Sequence, residues 1–250
     1  MQLAEQDQAT RVMGIKALGK IKDPEALTTA VHAFQACVTG PENFAAQQSI
    51  VKLCAVFPER APETAVTLVT LISAQAKDGR LMLVSEEFTK SCDTVKEVLS
   101  RATLNNDVQS RIDEAIRSWY ERIKGDFDTA PNDVTLADPR ELATFKDNSM
   151  PEADRRAMFA VQSMAMLAEL MEGIQTPRAT EIKKELLEQI SPNGFGEYVL
   201  RTLSAQRDPE IQDAVRQVLE RWGRSQSTPT NRFAMACTAL TEIFRSHSAR

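Results

Sequence analysis

The sequence predicts an all-α protein of short helices stacked in chain order. Three observations carry that reading. Proline recurs at helix starts, apolar residues recur at helical spacing, and alternation with a period of two is absent, so no convincing strand emerges. The starts are Asp23-Pro24-Glu25, Gly40-Pro41-Glu42, Ala61-Pro62-Glu63, Thr176-Pro177, Ser191-Pro192 and Asp208-Pro209-Glu210. Proline suits the first helical position because its missing N–H has no role there. A preceding Asp, Ser or Thr can accept from the free N–H groups of the first turn, and a following glutamate suits its positive end.

Taken in order, the spacing predicts helices over Leu3 to Lys22, Pro24 to Val38, Pro41 to Val56 and Pro62 to Ala76. Leu83 to Ala102 follows, either continuous or broken near Ser91, and then Asp107 to Lys124. A short helix is expected at Pro139 to Phe145, followed by Pro151 to Gly173, Pro177 to Ile190, Gly196 to Gln206, Pro209 to Arg224 and Thr230 to Ser246. Three stripes show the period most clearly. Leu27, Ala30, Val31, Phe34 and Val38 form one; Ile211, Ala214, Val215, Val218, Leu219 and Trp222 form a longer one; Phe233, Ala236, Cys237, Leu240, Ile243 and Phe244 form the third. Each must be buried, and other helices are the only candidates to cover it.

Gly125 to Met150 interrupts the rhythm, being acidic and carrying two prolines. Long loops inside a fold are usually linkers or functional segments. The organisation expected is therefore an N-terminal helical half, 1–125, an acidic loop, 126–150, and a C-terminal helical half, 151–250, packed as one solenoid-like unit. An internal echo accompanies the two halves: Val95 to Trp119 and Val199 to Trp222 share their apolar register and end on the two tryptophans, with one gap. Repetition of helix pairs is what an α-solenoid shows, although any two amphipathic helices share part of such a register.

The run Ala17-Leu18-Gly19-Lys20-Ile21-Lys22-Asp23-Pro24-Glu25-Ala26-Leu27 resembles a HEAT repeat of the kind found in phycobilisome-lyase-like proteins. In such repeats one helix ends in Ala-Leu-Gly-x-Ile, the turn carries Asp-Pro, and a second helix begins. Arg11 sits upstream where those repeats often have an arginine, and Ser204 to Trp222 resembles part of another unit through Asp208-Pro209-Glu210-Ile211 and Val215-Arg216. Gly19 would let two helices approach, Asp23 would cap the second, and Ala17 and Ala30 would permit close packing. The resemblance covers one unit and part of another; Pro41 to Gly125 and Pro151 to Gly196 depart from it. It implies a HEAT-like α-solenoid or an irregular helical-repeat bundle of about eleven to twelve helices. It also implies a protein-binding scaffold, as members of that family commonly are, or an enzyme of the bilin-attaching or base-excising kind found among them.

Composition narrows the partners. A formal charge of −5 lacks the basic excess of a general phosphate-backbone binder, so nucleic acid is not expected. No apolar run approaches the length that spans a bilayer, and the polar Met1 to Asp7 start does not read as a signal or transit peptide. Cys37, Cys54, Cys92 and Cys237 are widely spaced and read as buried reduced thiols, so the expected location is a cytoplasm, or a reducing host cytosol to which the chain is delivered.

Catalytic, cofactor and metal motifs are missing. His32 and His247 are the only histidines, no Cys-x-x-Cys exists, and neither Thr39-Gly40-Pro41 nor Pro192 to Gly196 has the strand and Lys-Ser/Thr context of a phosphate loop. His32 and Cys37 are five apart, about 500° of helical rotation, so they do not face each other. Glu86-Glu87, Asp113-Glu114 and Glu169 with Glu172 read as solvated helix faces, as do Arg155-Arg156 and Lys183-Lys184. Two clusters are double-valued. Arg117, Trp119, Tyr120, Arg122 and Lys124, with Arg221, Trp222 and Arg224, combine hot-spot residue types with positions on apolar stripes. Met158, Met164, Met166 and Met171 read as core or as an adaptable groove. The function expected is thus a non-catalytic scaffold or adaptor that binds another protein through a curved helical surface, with self-association open. The alternatives are the HEAT-like enzyme and a bacterial secreted effector or secretion regulator.

Overall fold

The computed structural model describes residues 2–36, 40–77, 86–127, 163–190 and 194–224. Among these residues every regular element is helical and there is no strand. None of the described helices is long and apolar enough to cross a membrane. The elements are α1 (Gln2–Leu18), α2 (Pro24–Ala36), α3 (Gly40–Val56), a 3-10 turn (Pro58–Arg60), α4 (Ala61–Lys77), α5 (Glu86–Leu99) and α6 (Asn106–Phe127). Helical residues 163–171 (α7) precede α8 (Pro177–Gln189), α9 (Gly194–Ser204) and α10 (Pro209–Arg224). The helices expected at 139–145 and 230–246, the acidic loop from 128 onward, Ser191-Pro192, Cys37 and Cys237 lie outside the described residues.

The proline-marked starts behave as the residue chemistry demands. Asp23 Oδ1 accepts from Glu25 N at 2.9 Å where α2 begins, and Asp208 Oδ1 accepts from Glu210 N at 2.9 Å where α10 begins. Thr176 caps α8, its hydroxyl accepting from Ala179 N at 3.2 Å. Each such bond satisfies a first-turn donor that the helix itself cannot. Several boundaries differ from expectation: α6 runs on to Phe127 and takes in the first two residues of the expected acidic loop, and α9 spans Gly194–Ser204 rather than Gly196 to Gln206. α1 stops at Leu18, not Lys22, because the chain tightens there through Lys20 N to Ala17 O and Ile21 N to Leu18 O. α5 runs unbroken through Ser91, which is buried and accepts from Gln47 Nε2 at 2.9 Å.

The chain divides into two compact units, Met1–Leu81 with Ser85–Ala115 and Met82–Val84 with Ile116–Arg250. The division falls within α6, between Ala115 and Ile116.

In the first unit α3 packs against α1, α2 and α5, and α4 packs against α5 and α2. The direction of the helices follows from named pairs. Arg11 meets Glu42 and Ile15 O accepts from Ser49 Oγ at 2.8 Å, so α1 and α3 run the same way. Lys90 Nζ lies 4.8 Å from the centre of the Phe44 ring and Gln47 Nε2 donates to Ser91 Oγ, so the first half of α5 lies beside the first half of α3 and these two helices also run the same way. Ala45, Ala46, Ile50 and Leu53 are buried along α3, as are Ala30 and Phe34 on α2, the helix that packs against it. Gly19 permits a close approach: a Cβ there would stand 3.2 Å from Ser49 Cα. Ala30 is buried as expected, whereas Ala17 is exposed.

In the second unit every residue from 163 to 171 is buried, as befits a helix enclosed on all sides. Met164, Met166 and Met171 are core side chains at 2% exposure or less, so the methionines do not form an open groove; Met158 lies outside the described residues. α8 packs on α10 and α9, and α9 on α10. Val199, Leu203, Ile211, Val215, Val218 and Trp222 are all buried, as are Val95, Val98, Ile112, Ile116 and Trp119, so both copies of the echoed stripe face a core.

Candidate functional site

The most site-like feature is the seam between α8 and α10. Thr180 Oγ1 donates to Asp208 Oδ2 at 3.1 Å, Lys184 Nζ to Glu210 Oε2 at 3.0 Å, and Arg221 to the backbone oxygens of Leu187 and Glu188 at 3.1 and 3.0 Å. Each step up α8 meets a step up α10, so the two helices run parallel. Arg221 covers carbonyls that the end of α8 leaves without helical partners, where the negative pole of the helix favours a cation.

Two open cavities of about 520 and 590 Å³ lie along this seam. They share Lys184 and Glu210, whose ion pair stands at their common boundary. The first cavity has Leu187, Ala214 and Val218 beneath a rim of Glu188, Asp213, Gln217 and Arg221. The second is lined by the first turns of both helices, with Thr176, Pro177 and Thr180 from one side and Arg207 and Asp208 from the other. An apolar floor under a charged, hydrogen-bonded rim suits a polypeptide segment: the floor takes up side chains, and the pinned rim charges set register.

Beneath the seam lies Lys183, only 1% exposed. It is not part of a solvated charge pair with Lys184, because it occupies the apolar stripe Ala179, Ile182, Lys183, Leu186, Leu187 and Ile190, all buried. Its Nζ donates to Ile174 O at 2.7 Å and to Gln206 Oε1 at 2.8 Å. Burial lowers the Lys183 pKa to about 8, against the opposing pull of Asp208 and Glu172. Glu169 also departs from the solvated reading; it is 5% exposed, while Glu172 is half-buried.

The aromatic-basic clusters separate into inside and outside. Trp119, Tyr120 and Trp222 are buried at 2%, 2% and 7% exposure, while Arg117, Arg122 and Arg221 are exposed. The aromatics therefore belong to the core rather than to a contact patch. Tyr120 OH donates to Glu185 Oε2 at 2.8 Å and accepts from Gln189 Nε2 at 3.2 Å. Desolvation, with the Glu185 hydrogen bond second, pushes the Tyr120 hydroxyl pKa upward.

The remaining chemistry-bearing residues do not converge. His32 is exposed on α2. Cys54 and Cys92 are buried thiols, and burial raises the Cys54 pKa to about 11 in spite of its Thr64 hydrogen bond. Among the described residues no group of three or more His, Cys, Asp or Glu is placed to hold a metal ion.

Sequence reasoning missed the seam because partners such as Lys184 and Glu210 are 26 positions apart and carry no joint signature. A lysine inside an apolar stripe was a signal in plain view for Lys183. No family model, curated protein or solved structure matches the chain at a significant level.

Proposed function

We propose that this chain is a non-catalytic scaffold that binds another protein along stacked helices, in the manner of HEAT-like repeats. The observation that carries the reading is the α8–α10 seam, with Leu187, Ala214 and Val218 beneath a charged rim. The layering supports it. In a helical-repeat array alternate helices lie side by side and run the same way, as α1, α3 and α5 do in one unit and α8 and α10 in the other. The Gly19 approach and the Asp23 cap support the repeat-like first helix pair.

Binding would be a matter of shape and rim charge. A partner segment would lay apolar side chains on Leu187 and Val218 and meet Glu188, Asp213 and Arg221 at the edges. The test is Ala214→Arg, which fills the first cavity from a half-buried position. Binding of a purified partner, found by crosslinking in the source cells, should fall at least tenfold while the unfolding midpoint stays near wild type. Unchanged affinity would remove the seam as the binding face.

A further inference from the structure

The buried amine of Lys183 joins two connectors. Ile174, which accepts one of its protons, lies in the connector 172–176 before α8, and Gln206, which accepts another, lies in the connector 205–208 before α10. An ammonium carries three donors, so one remains. The neighbouring Gln206 Nε2 is also a buried donor without a hydrogen-bond partner. A protonated amine there thus has a third donor with no acceptor among the described residues, an arrangement that opposes the proton.

We propose that Lys183 is a proton-linked latch: the two connectors part to let its protonated amine reach water, and close over it when the proton is lost. The physical reason is linkage. A closed latch holds the amine in a site that disfavours charge, while an open one returns it to solvent, so proton uptake favours opening. The charged groups facing the amine are Asp208 at the start of α10 and Glu172 in the other connector; both favour the proton, and burial outweighs them. From α9's end the facing group is the uncharged Gln206, and α6 presents Tyr120 and Lys124 to Glu185 on a different face of α8. Gln175, Thr176, Arg207 and Asp208 belong to these connectors or their borders and line the second cavity, so the latch sets that end of the seam. The bearing on partner binding rests on the scaffold reading, whereas the latch itself is measurable in the free chain.

The experiment is brief native-state trypsin cleavage after Arg207, normalised at each pH to an unstructured peptide of the same local sequence. With Lys183 titrating near pH 8 when closed and at its ordinary 10.5 when open, the open population should fall about tenfold from pH 7.5 to 9. Cleavage after Lys20, in the exposed α1–α2 connector, is the internal control and should show no such fall. In Lys183→Met the pH dependence at Arg207 should vanish. Equal pH dependence at Arg207 and Lys20 in the wild type overturns the latch. A second measurement on the wild type alone, the NMR titration of the Lys183 Cε signal, overturns it if the midpoint is that of an exposed lysine. Neither readout involves a partner, so failure of the latch is distinct from failure of the scaffold reading.

Discussion

Glu42, its side chain 5% exposed at the start of α3, accepts a 2.6 Å hydrogen bond from Arg11 Nε on α1. Arg11 is half-exposed and also pairs with Asp7 one turn earlier, so the guanidinium ties a solvated carboxylate to a buried one. Removing Arg11 alone withdraws a cation from a buried carboxylate that keeps its desolvation cost, whereas removing both leaves no buried charge behind. Arg11→Met should therefore lower the denaturant midpoint more than the double variant Arg11→Met with Glu42→Met. Urea titrations of the three proteins check this; an equal or larger loss in the double variant contradicts it.

Gly19 and Gly14 should respond to alanine with opposite signs. A Cβ at Gly19 would meet Ser49 Oγ at 3.1 Å and Ser49 Cα at 3.2 Å, and the backbone atom cannot step aside. Gly19→Ala should cost about 1–3 kcal/mol by forcing α3 away from the turn. At Gly14, inside α1, nothing lies within 4 Å, so Gly14→Ala should stabilise by about 0.5–1 kcal/mol through helix propensity. Equilibrium unfolding of the two variants measures both signs in one experiment.

These two positions show how far the residues alone could be read. The Pro-marked starts, the caps of Asp23 and Asp208 and the close approach at Gly19 are local chemistry, and local chemistry is visible in a chain. The end of α1 was misplaced because Leu18 to Lys22 keeps a helix-compatible composition while its hydrogen bonds tighten to three-residue spacing. Lys183 was misread because its neighbour Lys184 is solvated and a charge pair reads as one feature; burial of one of the two depends on α9 and α10 arriving from 20 or more residues away. The seam itself is a tertiary object, set by which helices run parallel.

Tyr120 supplies a pH dependence of definite sign. Its folded pKa is raised, by burial first and by Glu185 second, while the unfolded chain releases the proton near the ordinary 10.0. The stabilisation is fully present below pH 10 and is lost as the pH climbs through the folded value, because only the unfolded chain gains from ionising. Tyr120→Phe should cost about 1 kcal/mol at pH 7 and should show a shallower loss of stability above pH 10 than the wild type. Parallel chemical denaturation at pH 7 and above 10 decides it.

Cys54 should be inert in the folded chain. It is fully buried, and a thiol with a pKa of about 11 offers little thiolate at pH 8. Alkylation by iodoacetamide at pH 8, followed by peptide mass spectrometry, should leave Cys54 unmodified until denaturant unfolds the first unit. Modification at the rate of a free thiol would contradict the packing of α3.

The scaffold reading stands or falls on where a partner touches. The most direct measurement places a photo-crosslinking amino acid at the exposed Gln217, on the rim of the first cavity, and in a second protein at the exposed His32 of α2. Irradiation in the source cells should give one recurrent protein adduct from Gln217, abolished by Ala214→Arg, and none from His32. Adducts that are equal at both positions, or unaffected by filling the cavity, would contradict binding along the α8–α10 seam.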